Sequence, residues 1–545
     1  MTTVKKKETY LEGVYENLKT QSTNKLPIVL AGLLLGILMA SMDNTIVATA
    51  MGNIVGELGG LDHFVWVTSA YMVAELAGMP IFGKLSDMYG RKKFFVFGMI
   101  VFMLGSVMCG TANSITELAL YRAVQGIGGG ALIPIAFAIM FDTVPLEKRG
   151  KLTGLFGAVF GLSSIFGPLA GAYITDQITW QWIFYINLPI GIMAFMMVTL
   201  FYKESHERSK QPIDWMGATT LLTGVICFMF ALELGGKQLA WNSWIILALF
   251  AAAFVMLVLF VLAERRAEEP IISFRLFKNK LYTSSVLCGL FSGGSFIVAS
   301  VYIPIFIQGV LGGSATNSGL VLLPMMVGSV ITATVSGFLM SKISYRNIMI
   351  PTLVLFTGGM VLASTLTAES SRFIVTLYMV LIGLGIGGSF SVLSTAVMHG
   401  LSYKQRGMAS STFNFTRSLG MTIGITVFGL IQSRSFAGSL SSGSSVMNTE
   451  ALPEGFDLKD PHILLAPETR SLIPAELLKP ISDSLASSIA ATFAWAIAPA
   501  ALALAAATLM GRKKLDETAE LKRETVVDSE EEGETPDNEK LAMAP

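Results

Sequence analysis

The sequence predicts an all-α membrane protein with fourteen transmembrane helices. Three observations carry that prediction: scarce charge, recurrent long apolar runs, and an uneven spread of lysine and arginine. Hydrophobic residues make up 52% of the 545 and charged residues 14%, against about 25% charged in an ordinary soluble domain. So few charges cannot coat a water-soluble particle of this size. Runs of about 20 apolar residues, the length a helix needs to cross hydrocarbon, recur along most of the chain.

The runs lie near 26–49, 64–83, 94–113, 115–140, 152–175, 180–201, 213–234, 243–263, 281–308, 318–340, 347–367, 374–398, 405–432 and 488–510. Several connections are short, which forces neighbouring helices to run antiparallel, and no large soluble domain fits between them. Lys and Arg are retained on the cytoplasmic side of short loops. With a cytoplasmic N-terminus, most of the 38 basic residues fall on inside segments. The outside segments hold only Lys237, Arg372, Arg434, Lys459, Arg470 and Lys479. Miscounting an early helix would destroy this bias, so it supports an even count with both termini cytoplasmic.

The ends and loops add little chemistry. The stretch to Lys25 is polar and basic without the apolar core or small-residue cleavage site of a secretory leader, so the first span is expected to act as its own signal. The outside stretch 433–487 opens Ser/Gly-rich, as a flexible loop does, and the tail 511–545 ends in a polar, acidic run expected to be disordered. Net charge is zero, which argues for no nucleic acid. Cys109, Cys227 and Cys288 sit in apolar runs without disulfide or metal spacing. His63, His206, His399 and His462 are scattered, so neither a metal site nor a nucleophile with its base is legible.

Three motifs carry more information. After the second run comes Gly83-Lys-Leu-Ser-Asp87-Met-Tyr-Gly90-Arg91-Lys92-Lys93. Its glycines allow a tight turn and its Asp can pair across a helix end, although a basic anchor that only sets topology would look similar. The fourth run holds Tyr121-Arg122-Ala-Val-Gln125-Gly126-Ile-Gly128-Gly129-Gly130. An Arg at that depth is costly unless it faces protein, water or a counter-charge, and the glycines invite close helix approach. In the fifth run Gly157, Gly161, Gly167-Pro168 and Gly171 form a small-residue surface, with Ser163, Gly167 and Gly171 on one face. Such a face packs helix on helix, and Pro168 can bend it.

These three motifs, together with Met42-Asp43-Asn44-Thr45-Ile46-Val47 in the first run and Trp182-Ile-Phe-Tyr-Ile-Asn187-Leu-Pro189 in the sixth, resemble the signatures of the major facilitator superfamily. The resemblance is strongest to its fourteen-span drug:proton antiporters (the DHA2 group) and, among these, to multidrug efflux proteins of Gram-positive bacteria. It implies a major facilitator fold: a six-helix bundle over 26–201, a linker with two inserted helices over 202–280, and a second six-helix bundle over 281–510. The segment Gly337-Phe-Leu-Met-Ser-Lys342-Ile-Ser-Tyr-Arg346 resembles the earlier loop but lacks its Asp and second Gly, so an equal latch role is not expected of it. The resemblance also implies alternating access, proton-driven export and no cofactor.

Depth singles out the candidate coupling residues. At 1.5 Å rise per residue, Asp43 lies roughly 24 Å from the inner end of its span and Arg122 about 11 Å from the outer end of its own, so the two could meet across the bundle. Glu75 falls mid-span with no local charged neighbour. Burial raises a carboxylate pKa and a nearby Arg lowers it, so Asp43 and Glu75 are candidate proton carriers, with locked structural carboxylates as the alternative. Arg417 is the later half's only deep charge; pairing with an acid across a cavity and a strut to backbone carbonyls are equal alternatives. The 34 Phe and 29 Met suit adaptable apolar binding but equally lipid contact and core. The expected partners are lipophilic small molecules, protons and the bilayer, for a monomer in the cell membrane. A dedicated exporter of one endogenous metabolite or lipid is the alternative, and a membrane-embedded enzyme or sensor a more distant one.

Overall fold

The computed structural model describes residues 2–58, 65–144, 146–204, 214–236, 239–267, 269–313, 315–401, 403–443 and 475–515. The central part of the 433–487 stretch and most of the C-terminal tail therefore lie outside the described residues, as do His63, His206 and His462. The described residues are helical almost throughout. In order they form α1 (Thr2–Leu58), α2 (Val65–Tyr89), α3 (Arg91–Gly110), α4 (Ile115–Thr143), α5 (Leu146–Gln177), α6 (Trp182–Tyr185), α7 (Asn187–Phe201), α8 (Trp215–Leu234) and α9 (Trp244–Glu264). The later half contains α10 (Lys280–Ile305), α11 (Ala315–Leu339), α12 (Tyr345–Ala363), α13 (Arg372–Gly388), α14 (Ser394–Ala396), α15 (Tyr403–Gly443) and α16 (Ala475–Thr508). Helix α15 thus runs to Gly443 and α16 begins at Ala475, so helix extends into both ends of the stretch expected to be a loop.

Polar caps start many of these helices. Ser114, Asp214, Ser243, Ser344 and Ser371 each accept a backbone N–H from the first turn of the helix that follows, satisfying a donor the helix cannot satisfy itself. Gly90, with φ +111°, makes the turn from α2 to α3 in a conformation that side chains resist.

Among the described residues, eleven helices are long and apolar enough to cross a membrane. Helices α2, α5 and α15, at 25, 32 and 41 residues, are also long enough, but they carry charged, hydroxyl and glycine residues in place of a wholly apolar surface. Their position explains that composition. Helix α2 packs along α15 and α5 along α11, and these two contacts form the main seam between the halves. Helix α9 is the opposite case: it leaves Trp244, Leu247 and Phe254 exposed, as a lipid-facing helix does.

The two halves repeat one packing scheme. Pairs α1/α5, α1/α7, α2/α4, α3/α4 and α3/α7 correspond to α10/α15, α10/α16, α11/α13, α12/α13 and α12/α16. Glycines permit the tightest of these approaches. A Cβ on Gly126 or Gly130 of α4 would strike α2 backbone, and one on Gly128 would strike α3. In α13, Gly383 and Gly387 stand in the same way against α11, and Gly385 against α12. Helices α8 and α9 pair with each other, and α8 also lies against α2.

Candidate functional site

Three groups of residues occupy the seam and the first bundle. The deepest is a buried ion pair between Asp43 of α1 and Arg122 of α4, both fully enclosed. Asp43 Oδ1 also accepts from Gln125 Nε2 at 2.8 Å and Asn187 Nδ2 at 2.9 Å. Arg122 donates to Gln125 Oε1 at 2.6 Å and to the Val67 carbonyl at 3.2 Å, and its guanidinium lies 4.1 Å from the centre of the Tyr71 ring. Ser106 joins through Gln125 at 2.8 Å. Five helices therefore meet around one ion pair. A buried charge pair is costly unless its remaining donors and acceptors are satisfied; the two amides do that for Asp43, whereas Arg122 Nη2 has no hydrogen-bond partner among the described residues.

The second group is a cavity of about 250 Å³ between the halves. Helices α2 and α4 line it with Met72, Glu75, Met79 and Ile133; α10, α13 and α15 contribute Phe296, Ile386, Asn414, Arg417 and Met421. A π-helical turn, Ser389–Leu393, follows α13 and presents Ser389, Phe390 and Leu393 to the same space. Such turns add a residue to the helix and re-aim its side chains, often at functional positions. Asp43 and Arg122 do not line the cavity; Glu75 does. Tyr71 stands between them, its ring on Arg122, and its hydroxyl and the Glu75 side chain both approach Gly129.

The third group closes the seam at the end that carries the α2–α3 turn. Asp87 reaches α15 and accepts from Gly407 N at 3.0 Å and Met408 N at 2.7 Å, in the second turn of that helix and close to its positive N-terminal end. Arg91 pairs with Asp87 at 3.1 Å and with Asp142 of α4, and Arg406 of α15 reaches Asp142 at 3.5 Å. Gly83 lies against Ser411 and the Gly407 carbonyl, leaving no room for a side chain. Gly90 N-caps α3 beside Glu204, which accepts from Arg91 N at 2.5 Å. Lys84 pairs with Glu269 at 2.5 Å, tying the turn to the segment after α9.

Among the described residues, the later copy builds no such contact. Ser341 stands where Asp87 does in the repeat, and its hydroxyl turns back to Phe338 O at 3.3 Å. Tyr345 stands in the place of Arg91 and meets His399 at 3.2 Å.

The fifth-helix motif faces two ways. Gly167 and Gly171 lie against Thr45, Ile46 and Thr49 of α1, where Thr45 donates to the Ser163 carbonyl at 3.0 Å, whereas Gly157 faces Phe390 and Ala333 of the later half. Pro168 lies inside α5 without ending it, and Gly161 falls within the same helix. The structure thus joins Asp43 to Arg122 and brings Glu75 and Arg417 to one cavity. Sequence reasoning quoted Gln125 and Asn187 without assigning them a part, and passed over Tyr71, Asp142 and Arg406. The spacing of Gln125 one turn beyond Arg122 was the available signal.

Comparisons with known proteins agree with this architecture. The family model of the Major Facilitator Superfamily matches residues 33–425. The chain is 51% identical over 494 residues to multidrug resistance protein 3 of Bacillus subtilis, covering 90% of this chain and 96% of that one. It is 38% identical over 435 residues to the multidrug transporter protein MdtP of the same organism, covering 80% of each. Among solved structures, the proton:xylose symporter XylE superposes with a TM-score of 0.59 at 12% identity, over 92% of this chain and 99% of that one. The human organic anion transporter MFSD10 gives 0.55 at 14%, over 87% and 99%. The repeated bundles, the seam and the extent of these matches lead to one conclusion: the chain belongs to the major facilitator superfamily.

Proposed function

We propose that the chain is a proton-driven exporter of lipophilic, often cationic compounds: a fourteen-span monomer of the cell membrane, termini cytoplasmic, whose halves alternate access to the central cavity. It is a transporter and not an enzyme. The observation that carries the export reading is Glu75, an acid in the wall of a largely apolar, aromatic-lined cavity between two pseudo-symmetric halves. A carboxylate there can hold either a proton or a cationic substrate, and competition between the two is what exchange requires. Asp87 and its α15 contacts hold the cytoplasmic end shut in this conformation, and the Asp43–Arg122 pair tunes the second acid. The names of the two Bacillus relatives, a multidrug resistance protein and a multidrug transporter, support the same cargo class.

Dye movement in everted vesicles under an imposed pH gradient, with and without a protonophore, tests this. Uptake that collapses with the gradient is expected. If Asp43→Asn and Glu75→Gln both leave gradient-driven transport at the unsubstituted rate, the proton-coupling assignment is wrong.

A further inference from the structure

Tyr71 stands between the buried ion pair and the central cavity, and its two ends are held differently. None of its surface is exposed. The Arg122 guanidinium lies 4.1 Å from the ring centre, and Phe102 meets the ring edge-on at 6.4 Å. Those contacts fix the ring and so confine the hydroxyl. It reaches the Ala40 carbonyl of α1 at 3.5 Å, the outer limit of a hydrogen bond.

The same place adjoins Glu75. Tyr71 and Glu75 are four residues apart on α2, so their side chains are neighbours on one face. Gly129 of α4 locates the two: a Cβ there would lie 2.6 Å from the Tyr71 hydroxyl oxygen and 3.7 Å from Glu75 Cγ. A larger residue at 129 would displace the hydroxyl. On the other side, Ala40 comes three residues before Asp43 in α1. The hydroxyl therefore lies between the helix that carries one candidate proton carrier and the side chain of the other.

We propose that Tyr71 is a positioning residue for proton exchange at Glu75. An ionised carboxylate is a stronger acceptor than a backbone carbonyl. The hydroxyl turns to Glu75 when that acid is charged and returns to the Ala40 carbonyl when the acid takes up a proton. A hydrogen bond of this kind favours the charged form, the form that holds a cationic cargo. This rests on the export reading above and adds the group that sets when Glu75 exchanges its proton. The other charges around Glu75 are Arg417 of α15, on the same cavity, and the Arg122–Asp43 pair behind Tyr71; the remaining described residues lining the cavity are uncharged.

Tetraphenylphosphonium, a cation with no proton to lose, reads the competition. Its binding to purified full-length protein is followed by calorimetry from pH 5 to pH 9, and affinity is expected to fall on acidification. Tyr71→Phe keeps the ring and deletes the hydroxyl. The midpoint of the fall should move up by about one pH unit, the scale of one hydrogen bond to a charged group. Gly129→Ala, which puts a methyl where the hydroxyl sits, should move it the same way and carries the test if Tyr71→Phe does not fold. In a Glu75→Gln background, adding Tyr71→Phe should change nothing further. A midpoint unmoved or lowered in folded Tyr71→Phe, or a further shift in the Glu75→Gln background, would overturn the proposal. Failure of the export reading looks different: dye movement in everted vesicles would ignore the pH gradient, while the binding midpoint would still move on Tyr71→Phe.

Discussion

The Asp87 carboxylate of α2 binds the second turn of α15, accepting the Gly407 backbone N–H at 3.0 Å across 320 positions of sequence. One side chain thereby spans the seam between the halves. Losing a hydrogen bond to a charged acceptor costs about 1.5 kcal/mol, which is about tenfold in a two-state population. Asp87→Ala should shift the closed-to-open ratio at this end by that factor, seen as a longer distance between spin labels placed on α2 and α15. An unmoved distance distribution would mean the other seam contacts hold this end without Asp87.

Asp87 lies beyond the apolar run that ends at Gly83, and its burial pushes its pKa from 3.8 up to about 6, against the opposing pull of Arg91 and the two backbone N–H groups. The sign follows from linkage. A group whose pKa is higher in the closed state than in the hydrated open state takes up a proton on closing. Closure is then favoured most below pH 4 and progressively less as pH rises to about 6, above which the dependence levels off. The same spin-label distance followed from pH 7.5 to pH 5 should show the closed population growing, and Asp87→Asn should flatten the curve. Growth of the open population on acidification would contradict this.

Arg122 and Asp43 are both fully enclosed, so a substitution that breaks their pair from either side should be costly. Arg122→Ala leaves Asp43 buried without its counter-charge, a loss of about 3–5 kcal/mol. Asp43→Asn leaves Arg122, which stays charged, equally buried without a counter-charge, although its bonds to Gln125 and Val67 remain. Thermal unfolding in detergent should therefore place both single variants well below the unsubstituted protein, and an unchanged midpoint in either would count against the network.

Tyr71 contributes two separable things. Its ring lies 4.1 Å from the Arg122 guanidinium, and its hydroxyl reaches the Ala40 carbonyl only at 3.5 Å. A desolvated cation–π contact is worth about 2 kcal/mol, more than a hydrogen bond that long. Tyr71→Phe should unfold close to the unsubstituted protein and Tyr71→Leu several degrees lower. A loss of stability already complete in Tyr71→Phe would shift the weight to the hydroxyl.

The glycine repeat makes a symmetric prediction. Gly128 of α4 and Gly385 of α13 each stand where a Cβ would strike the backbone of the neighbouring helix, α3 and α12 respectively. Overpacking of this kind costs about 1–3 kcal/mol. Gly128→Val and Gly385→Val should lower thermal stability to a similar extent, whereas Gly358→Val, with open space around it, should lower it less.

The sequence by itself determined the solvent and the repeat. Charge scarcity and run length demand a bilayer, since only helices satisfy their own backbone groups there, and deep charges such as Asp43, Arg122, Glu75 and Arg417 stand out because burying them is expensive. Uncharged amides carry no such mark, so Gln125 and Asn187 became legible only when folding set them beside Asp43. The α13 glycines were passed over in the sequence, since their meaning depends on which helices approach them. Tertiary structure alone decided that Asp87 finds backbone donors in the second turn of α15, because a backbone N–H has no signature in the residue it belongs to. It also decided that Glu75 and Arg417 share one cavity while Asp43 and Arg122 lie behind it, since depth along a helix follows from counting residues but the direction a side chain faces depends on which helix packs against it.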